Sequence, residues 1–192
     1  MFSMSKISYL FVCIISIPVL VDLHFILEFW LGKNIPDYTI TFTRLTIITM
    51  IISVLNTPIT QVIHATGKMK RYHLTSSCII CCILPVSWIF LKLGFTAETV
   101  FYVGIVLTII NQIVSTLILR TVFKYSIYKY LREVILFCGL ILPVPILVSN
   151  YIYNLFPDGI TRLIIIFLTS TIFICASAIV LLNKDEKRLI LS

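Results

Sequence analysis

Six long apolar segments restrict what this chain can fold into more than any other feature. Each is about 20 residues long, which as a helix crosses the roughly 30 Å hydrocarbon core of a bilayer. Backbone groups find no water inside a bilayer, so such segments must be helices that satisfy their own hydrogen bonds. The sequence therefore predicts an all-α, polytopic membrane helix bundle, with one transmembrane domain over residues 1–192. The predicted spans are 7–27, 45–63, 74–91, 100–119, 134–153 and 163–182.

The charge content agrees with a membrane protein. Charged residues make up only 12% of the chain, about half the share of a soluble domain, whose surface must face water. The net charge is +7, but the basic residues lie in short connections between apolar segments. We therefore predict membrane lipids, and no nucleic acid, as contacts of this surface.

The distribution of Lys and Arg predicts the orientation. Eleven of the 15 basic residues fall at the two termini or in the loops after spans two and four. The positive-inside rule then places both termini in the cytoplasm, as expected for a multi-pass protein of a bacterial inner membrane. The basic and aromatic stretch 120–133 is predicted to lie on the cytoplasmic surface, as a short amphipathic helix or as a loop.

The six cysteines lie inside the apolar segments, and none lies in a loop. Cys78, Cys81 and Cys82 share one helix face, but no His or acidic residue lies near them in sequence. We interpret the cysteines as small, polarizable packing residues and predict no disulfide, metal site or cofactor. No catalytic motif is present, so no catalytic residue is predicted and the chain is not expected to be an enzyme.

A stripe of polar residues runs along the second span at spacings of three and four, which places them on one helix face. The fourth span repeats this pattern. Such side chains either bridge neighbouring helices or form the wall of a water-filled path for a polar cargo, and the pattern alone leaves both readings open. The candidate cavity-lining residues are Thr49, Ser53, Asn56 and Thr60 in the second span and Asn111 and Gln112 in the fourth.

Prolines interrupt four of the six spans. Each removes one backbone hydrogen bond and is predicted to kink its helix. Pro58, for example, leaves the carbonyl of Val54 without its helical partner. The prolines are Pro18, Pro58, Pro85, Pro143 and Pro145.

Asp22 is the only formally charged residue within the predicted spans. An intramembrane carboxylate is a candidate functional group. At its depth near the outer end of span one, it is expected to reach the interface or to pair with His24 or Arg44.

Two motifs occur in order in the first part of the chain. Pro18 is followed by the apolar turn Ile-Leu-Glu-Phe-Trp-Leu-Gly at 26–32, and the polar second span ends in Ala-Thr-Gly-Lys-Met-Lys at 65–70. Over about residues 5–130 this pattern resembles the C-terminal lobe of polysaccharide and O-antigen flippases. These belong to the multidrug/oligosaccharidyl-lipid/polysaccharide exporter superfamily.

The resemblance implies a transporter that moves a lipid-linked oligosaccharide across the membrane by alternating access between two lobes. Members have twelve to fourteen spans, so six imply a fragment of a longer transporter, with an N-terminal lobe or a second copy as partner. Asp22, with His24 beside it, is the candidate for ion coupling. Basic residues are missing at mid-membrane, which leaves recognition of an anionic headgroup to the missing lobe, or to Arg44 and Lys33 at the outer rim, with Arg44 as the candidate contact.

Two other functions stay open at this point. A membrane-embedded polysaccharide polymerase or acyltransferase needs paired basic, His or acidic residues near one face, often in a long outer loop. The loops here are short and contain no such pair. The chain could also be a half-lobe that works only as a homodimer, or a truncated fragment without function.

Overall fold

The regular structure of the chain is helical throughout the part described by the computed structural model, residues 2–67, 69–122, 132, 134 and 136–181. The predicted all-α class is confirmed, and six helical stretches are long and apolar enough to cross a membrane. The chain is therefore a multi-pass membrane protein. The six stretches are Ser3–Val21, Thr39–Ala65, Met69–Lys92, Thr99–Thr121, Leu136–Leu155 and Ile160–Ile179.

Several of these spans are built from two helices separated by a short break. The helices are α1 (Phe2–Val21), α2 (Leu23–Leu31), α3 (Thr39–Ser53), α4 (Thr57–Ala65), α5 (Met69–Cys81), α6 (Ile83–Lys92), α7 (Thr99–Val122), α8 (Leu136–Ile141), α9 (Pro143–Leu155) and α10 (Ile160–Leu181). The predicted surface segment 120–133 lies, beyond the end of α7, almost wholly outside the described residues.

The break in span two shows how the chain compensates for a proline. A 3-10 turn, Val54–Asn56, separates α3 from α4. Pro58 has no N–H for the carbonyl of Val54, as the sequence predicted. The N–H of Thr57 donates to that carbonyl instead, which tightens the backbone locally into the 3-10 form.

The same relation recurs in two other spans. The break between α5 and α6 falls at Cys82, three residues before Pro85, and the break between α8 and α9 falls at Leu142, directly before Pro143. Pro18 differs, because α1 continues through it and ends at Val21. The predicted span 7–27 is consequently divided at Asp22, and α2 follows as a separate helix.

The chain divides into two compact units. The first unit, Pro36–Tyr130, contains α3 to α7. In it α7 is the central helix and contacts α3, α4, α5 and α6. At the beginning of α3 and α7 the rings of Phe42 and Phe101 stack with their centroids 4.7 Å apart. Buried Ile59, Ile63 and Leu119 add to the apolar packing of this unit.

The second unit consists of Phe2–Ile35 and Leu131–Ser192. Its described part packs α1, α9 and α10 against one another, with α8 beside α1 and α10. Ile17, Ile141, Ile166 and Ile174 are buried in this unit.

Candidate functional site

The first unit contains a cavity of about 260 Å³, which we call the polar cavity. Its size lies just below the range of roughly 300–1,000 Å³ that is usual for small-molecule sites. Four of the six candidate residues from the sequence line it, together with Ser76 and Thr108, which the sequence analysis did not select. The described lining residues are Ser53, Asn56, Ser76, Ile80, Ile83, Leu107, Thr108, Asn111 and Gln112.

The polar cavity lies about half-way along the membrane-spanning direction of α7. Asn111 is the thirteenth of the 24 residues of α7, which places it about 18 Å from the beginning of the helix. On the opposite wall, Asn56 belongs to the 3-10 turn that interrupts span two. Non-helical backbone at membrane depth is tolerated where it is buried in protein or lines a cavity. The proline-induced break and the polar cavity therefore occur at the same place.

Asn56 is held by a hydrogen-bond network with Tyr72 and Thr60. Its side-chain nitrogen donates to the hydroxyl of Tyr72 over 3.1 Å, and that hydroxyl lies 2.7 Å from the hydroxyl of Thr60. Thr60 in turn donates to the backbone carbonyl of Asn56 over 3.0 Å. Thr60 thus fixes the turn that carries Asn56 and is not among the residues that line the polar cavity.

Tyr72 is a functional candidate that the sequence analysis missed, because it lies two residues before the predicted beginning of span three at residue 74. It is buried, with 4% of its surface exposed. A buried tyrosine hydroxyl usually has a hydrogen-bond partner, and Tyr72 lies four residues before Ser76 on the same face of α5. That spacing is the sequence signal that connects both residues to one site.

Asn111 is fixed by a second pair of contacts. The hydroxyl of Ser76 donates to its side-chain oxygen over 2.9 Å. Within α7, Ser115 donates to its backbone carbonyl over 2.7 Å. The Ser76–Asn111 bond joins α5 to α7 beside the polar cavity, so one part of this polar surface serves helix packing.

The hydroxyl groups of the polar stripe that precede Asn56 form their hydrogen bonds within α3. Thr46, Thr49 and Ser53 each donate to the carbonyl four residues earlier, over 2.7–2.8 Å. Such bonds are a common alternative for hydroxyl side chains in helices. Thr49 is not among the described lining residues, whereas Ser53 is. His64, four residues after Thr60 on α4, lies 3.0 Å from His73 between their ring Nε2 atoms.

Asp22 has a partner that the sequence analysis did not name. In the second unit, both oxygens of its carboxylate contact the guanidinium of Arg162 on α10, which corrects the expected pairing with His24 or Arg44. The Nε of Arg162 donates to Oδ2 over 3.2 Å, and Nη2 contacts Oδ1. Asp22 is fully buried and Arg162 is 4% exposed, so this is a bidentate pair between α10 and the bend after α1.

Two further groups complete the surroundings of Arg162. Asp158, one turn earlier, contacts Nη1 and is itself mostly exposed. The ring of Tyr153 lies 4.3 Å from the guanidinium carbon, within the range of a cation–π interaction. The sequence analysis missed this cluster because Asp22 lies 140 positions before Arg162 in the chain.

The other predicted charged candidates lie on exposed surface. His24 is 3.9 Å from Glu28, one turn further along α2, and the two side chains are 61% and 42% exposed. Arg44 is exposed near the beginning of α3.

The cysteines form no site in the part of the chain that the structure describes. Cys78, Cys81 and Cys82 are exposed on α5 and at its end, while Cys13 and Cys138 are buried in the second unit. Within these same residues no cluster of three or more His, Cys, Asp or Glu side chains is placed to hold a metal ion.

The fold and the cavity define a multi-pass α-helical membrane protein with a neutral, hydrogen-bonding cavity at mid-depth. Comparison with protein-family models, with curated proteins and with solved structures gave no match.

Proposed function

We propose that this chain is one lobe of a flippase that moves a lipid-linked oligosaccharide across a bacterial inner membrane by alternating access. The observation that carries the proposal is the polar cavity, because hydroxyl and amide groups converge there at about half the depth of α7. Side chains of this kind replace the water around a sugar, whose hydroxyl groups both donate and accept hydrogen bonds. The apolar chain of the lipid would stay in the bilayer during transport.

The motifs at 26–32 and 65–70 support the same family of polysaccharide and O-antigen flippases. Transporters of alternating-access type place their substrate sites near the bilayer midplane, commonly beside interrupted helices. The 3-10 turn at Val54–Asn56 is such an interruption. Because family members have two lobes, we further propose that the chain works with an N-terminal lobe or with a second copy.

The excess of basic residues on one side supports an orientation with both termini in the cytoplasm. In that orientation Arg44 lies at the outer rim, where it would contact the anionic diphosphate of a lipid carrier. Asp22 remains our candidate for ion coupling, with His24 nearby on α2. A coupling cation would have to replace Arg162 at the carboxylate of Asp22, because the pair is buried and bidentate.

The proposal is tested by replacing Asn56 with Leu. If Asn56 lines the transport path, Asn56→Leu should reduce export of surface polysaccharide by tenfold or more, since its amide is lost and an apolar group enters the cavity. The protein should still insert and accumulate. Ile52→Leu, one turn away and outside the lining residues, is the matched control and should leave export unchanged.

The competing interpretation makes a different prediction. If Asn56 only joins α5 to span two through Tyr72, Asn56→Leu should lower the amount of folded protein, while export per folded molecule stays near normal. Export should therefore be divided by the amount of membrane-inserted protein in each strain. A normal ratio in Asn56→Leu would contradict the proposal.

A further inference from the structure

Two histidines face each other where spans two and three are joined. His64 lies in the last turn of α4, which ends at Ala65, and His73 lies near the beginning of α5, which starts at Met69. Their Nε2 atoms are 3.0 Å apart, and their ring centroids are 5.1 Å apart. Both residues are exposed, so this contact is at the surface of the first unit.

The contact requires one ring nitrogen with a proton and one without. A neutral imidazole has one N–H and one nitrogen with a free lone pair, so one Nε2 of the pair donates and the other accepts. If the donating ring changes to the tautomer protonated at Nδ1, both Nε2 atoms have free lone pairs. A cation can then take the position of the shared proton, and no proton has to leave the protein.

The distance between the two nitrogens matches two ligands of one transition-metal ion. Zn²⁺ binds imidazole at about 2.0–2.1 Å, and two such ligands at the tetrahedral angle lie roughly 3.3–3.4 Å apart. In the square-planar geometry common for Cu²⁺ and Ni²⁺, neighbouring ligands at the same bond length lie about 2.9 Å apart. The observed 3.0 Å lies between these values. Because both side chains are exposed, the rings can rotate until both lone pairs point at one ion.

The chemistry of the two ligands determines which metals fit. Imidazole nitrogen is a usual ligand of Zn²⁺, Ni²⁺ and Cu²⁺. Ca²⁺ and Mg²⁺ require several oxygen ligands, which two imidazoles do not supply. Among the described residues no third His, Cys, Asp or Glu joins the pair in a cluster, so water would occupy the remaining coordination positions.

The two histidines are held in register by neighbouring contacts. The hydroxyl of Tyr72, the residue before His73, lies 2.7 Å from that of Thr60, one turn before His64 on α4. The ring of Tyr72 also packs edge-on against His73, with centroids 5.2 Å apart. These contacts join α4 to α5 before a metal binds, which lowers the entropic cost of bringing two ligands to one ion.

We infer that His64 and His73 form a two-ligand site for a divalent transition-metal ion, which cross-links α4 to α5. The sequence analysis predicted no metal site; the two histidines lie nine positions apart on different helices and meet only in the folded unit. With half the ligands of a structural zinc site, the pair should bind with a Kd of roughly 1–200 µM. Metal binding at this pair goes beyond the proposed function and does not depend on it.

The test is a calorimetric titration with NiCl₂ of the full chain, purified in detergent without a histidine tag. The titration is done at about pH 8, where imidazole is ordinarily neutral. His64→Gln and His73→Gln should each weaken Ni²⁺ binding at least tenfold. The double variant should be no more than a few-fold weaker than either single variant, because one imidazole alone cannot chelate the ion.

The third histidine of the chain provides the matched control. His24 is exposed on α2, and His24→Gln should bind Ni²⁺ as tightly as the wild type. The native cysteines stay the same in every variant, so binding to thiols cancels in the comparison. At a Ni²⁺ concentration about a hundredfold above the Kd, the midpoint of thermal unfolding should rise by about 5–10 °C in the wild type and in His24→Gln, and not in the double variant.

Three results would overturn the metal site. The double variant could bind Ni²⁺ as tightly as the wild type, or His24→Gln could lose as much affinity as His64→Gln. In either case the contact between His64 and His73 is only a hydrogen bond between two rings. If instead each single variant loses one of two independent ions, the two rings do not share a metal and α4 is not cross-linked to α5.

Discussion

Removing the carboxylate of Asp22 is the sharpest test of how the second unit is held together. Asp22→Asn keeps the shape of the side chain but leaves Arg162 buried with its charge uncompensated by Asp22. Breaking a buried pair by removing one partner costs about 3–5 kcal/mol. Asp158 also contacts Arg162 and retains part of the compensation, so we expect a loss near the lower limit, about 3 kcal/mol. At about 2–4 °C per kcal/mol for a chain of this size, the midpoint of thermal unfolding should fall by roughly 6–12 °C.

The matched control for Asp22 is Asp158→Asn. Asp158 contacts the same guanidinium, but its side chain is 76% exposed. Exposed ion pairs contribute about 0–1 kcal/mol, so this variant should unfold within a few degrees of the wild type. The double variant Asp22→Asn with Arg162→Gln also removes the buried charge of Arg162, so it should recover part of the lost stability. The free energies of the two single variants are then not additive, which measures the interaction between Asp22 and Arg162.

Thermal unfolding of the purified protein in detergent, followed by size-exclusion chromatography of the heated samples, measures these differences. The reasoning is refuted if Asp22→Asn and Asp158→Asn lower the unfolding midpoint equally. It is also refuted if the loss in the double variant equals the sum of the losses in Asp22→Asn and Arg162→Gln measured singly. The same variants separate structure from ion coupling. A coupling carboxylate with no structural role would lose gradient-driven transport in Asp22→Asn without any change in the unfolding midpoint.

Two further predictions concern orientation and the cavity wall. In a background without the native cysteines, a cysteine that replaces Lys92 should react with a membrane-impermeant thiol reagent added outside. A cysteine that replaces Lys70 should react only after permeabilisation. The reverse pattern would contradict the proposed orientation. In the same background, a small water-soluble thiol reagent should label cysteines at positions 53 and 56 faster than a cysteine at position 49, because Thr49 is not among the lining residues. Equal labelling at the three positions, or no labelling at positions 53 and 56, would contradict the assignment of Ser53 and Asn56 to the cavity lining.

The spans were predictable from sequence because length and hydropathy are local properties. A run of about 20 apolar residues has few alternatives to a transmembrane helix, and a proline predicts where the helix is interrupted. The break at Val54–Asn56 follows from the missing N–H of Pro58. The bend at Asp22 does not follow from Pro18 in the same way, since α1 continues for three residues beyond it.

The site was only partly predictable, because the decisive contacts join different helices. Spacing placed Ser53 and Asn56 on one face, and it could not show that Thr49 would be satisfied by the carbonyl of Leu45. Hydroxyl side chains have this intrahelical option, and amide side chains at mid-helix do not use it as readily. Asn56 and Asn111 therefore carried the stronger signal, whereas a stripe of Thr and Ser overstates the polar surface that is available to a ligand.

The pairing of Asp22 with Arg162 was not predictable from the sequence. Each residue was visible in the sequence, one as a carboxylate within a span and the other as a basic residue at the outer end of another span. Nothing in their local patterns connects them, and the nearer candidates His24 and Arg44 were the natural expectation. A charge within a membrane span nevertheless predicts that a counter-charge must exist, and Arg162 lies next to the predicted beginning of span six.

The polar cavity lies where the backbone hydrogen bonds of span two change at its proline. A proline break at mid-membrane leaves a backbone carbonyl that lipid cannot satisfy, and in this chain the N–H of Thr57 satisfies the carbonyl of Val54. In this chain Tyr72 and Thr60 hold the broken segment at Asn56, and the polar groups of α7 face it across the cavity. The turn thus has polar neighbours, and its backbone oxygen at Asn56 accepts from Thr60, while the side-chain oxygen of Asn56 is buried without a donor among the described residues. The polar cavity therefore lies beside the part of span two where the backbone is least regular.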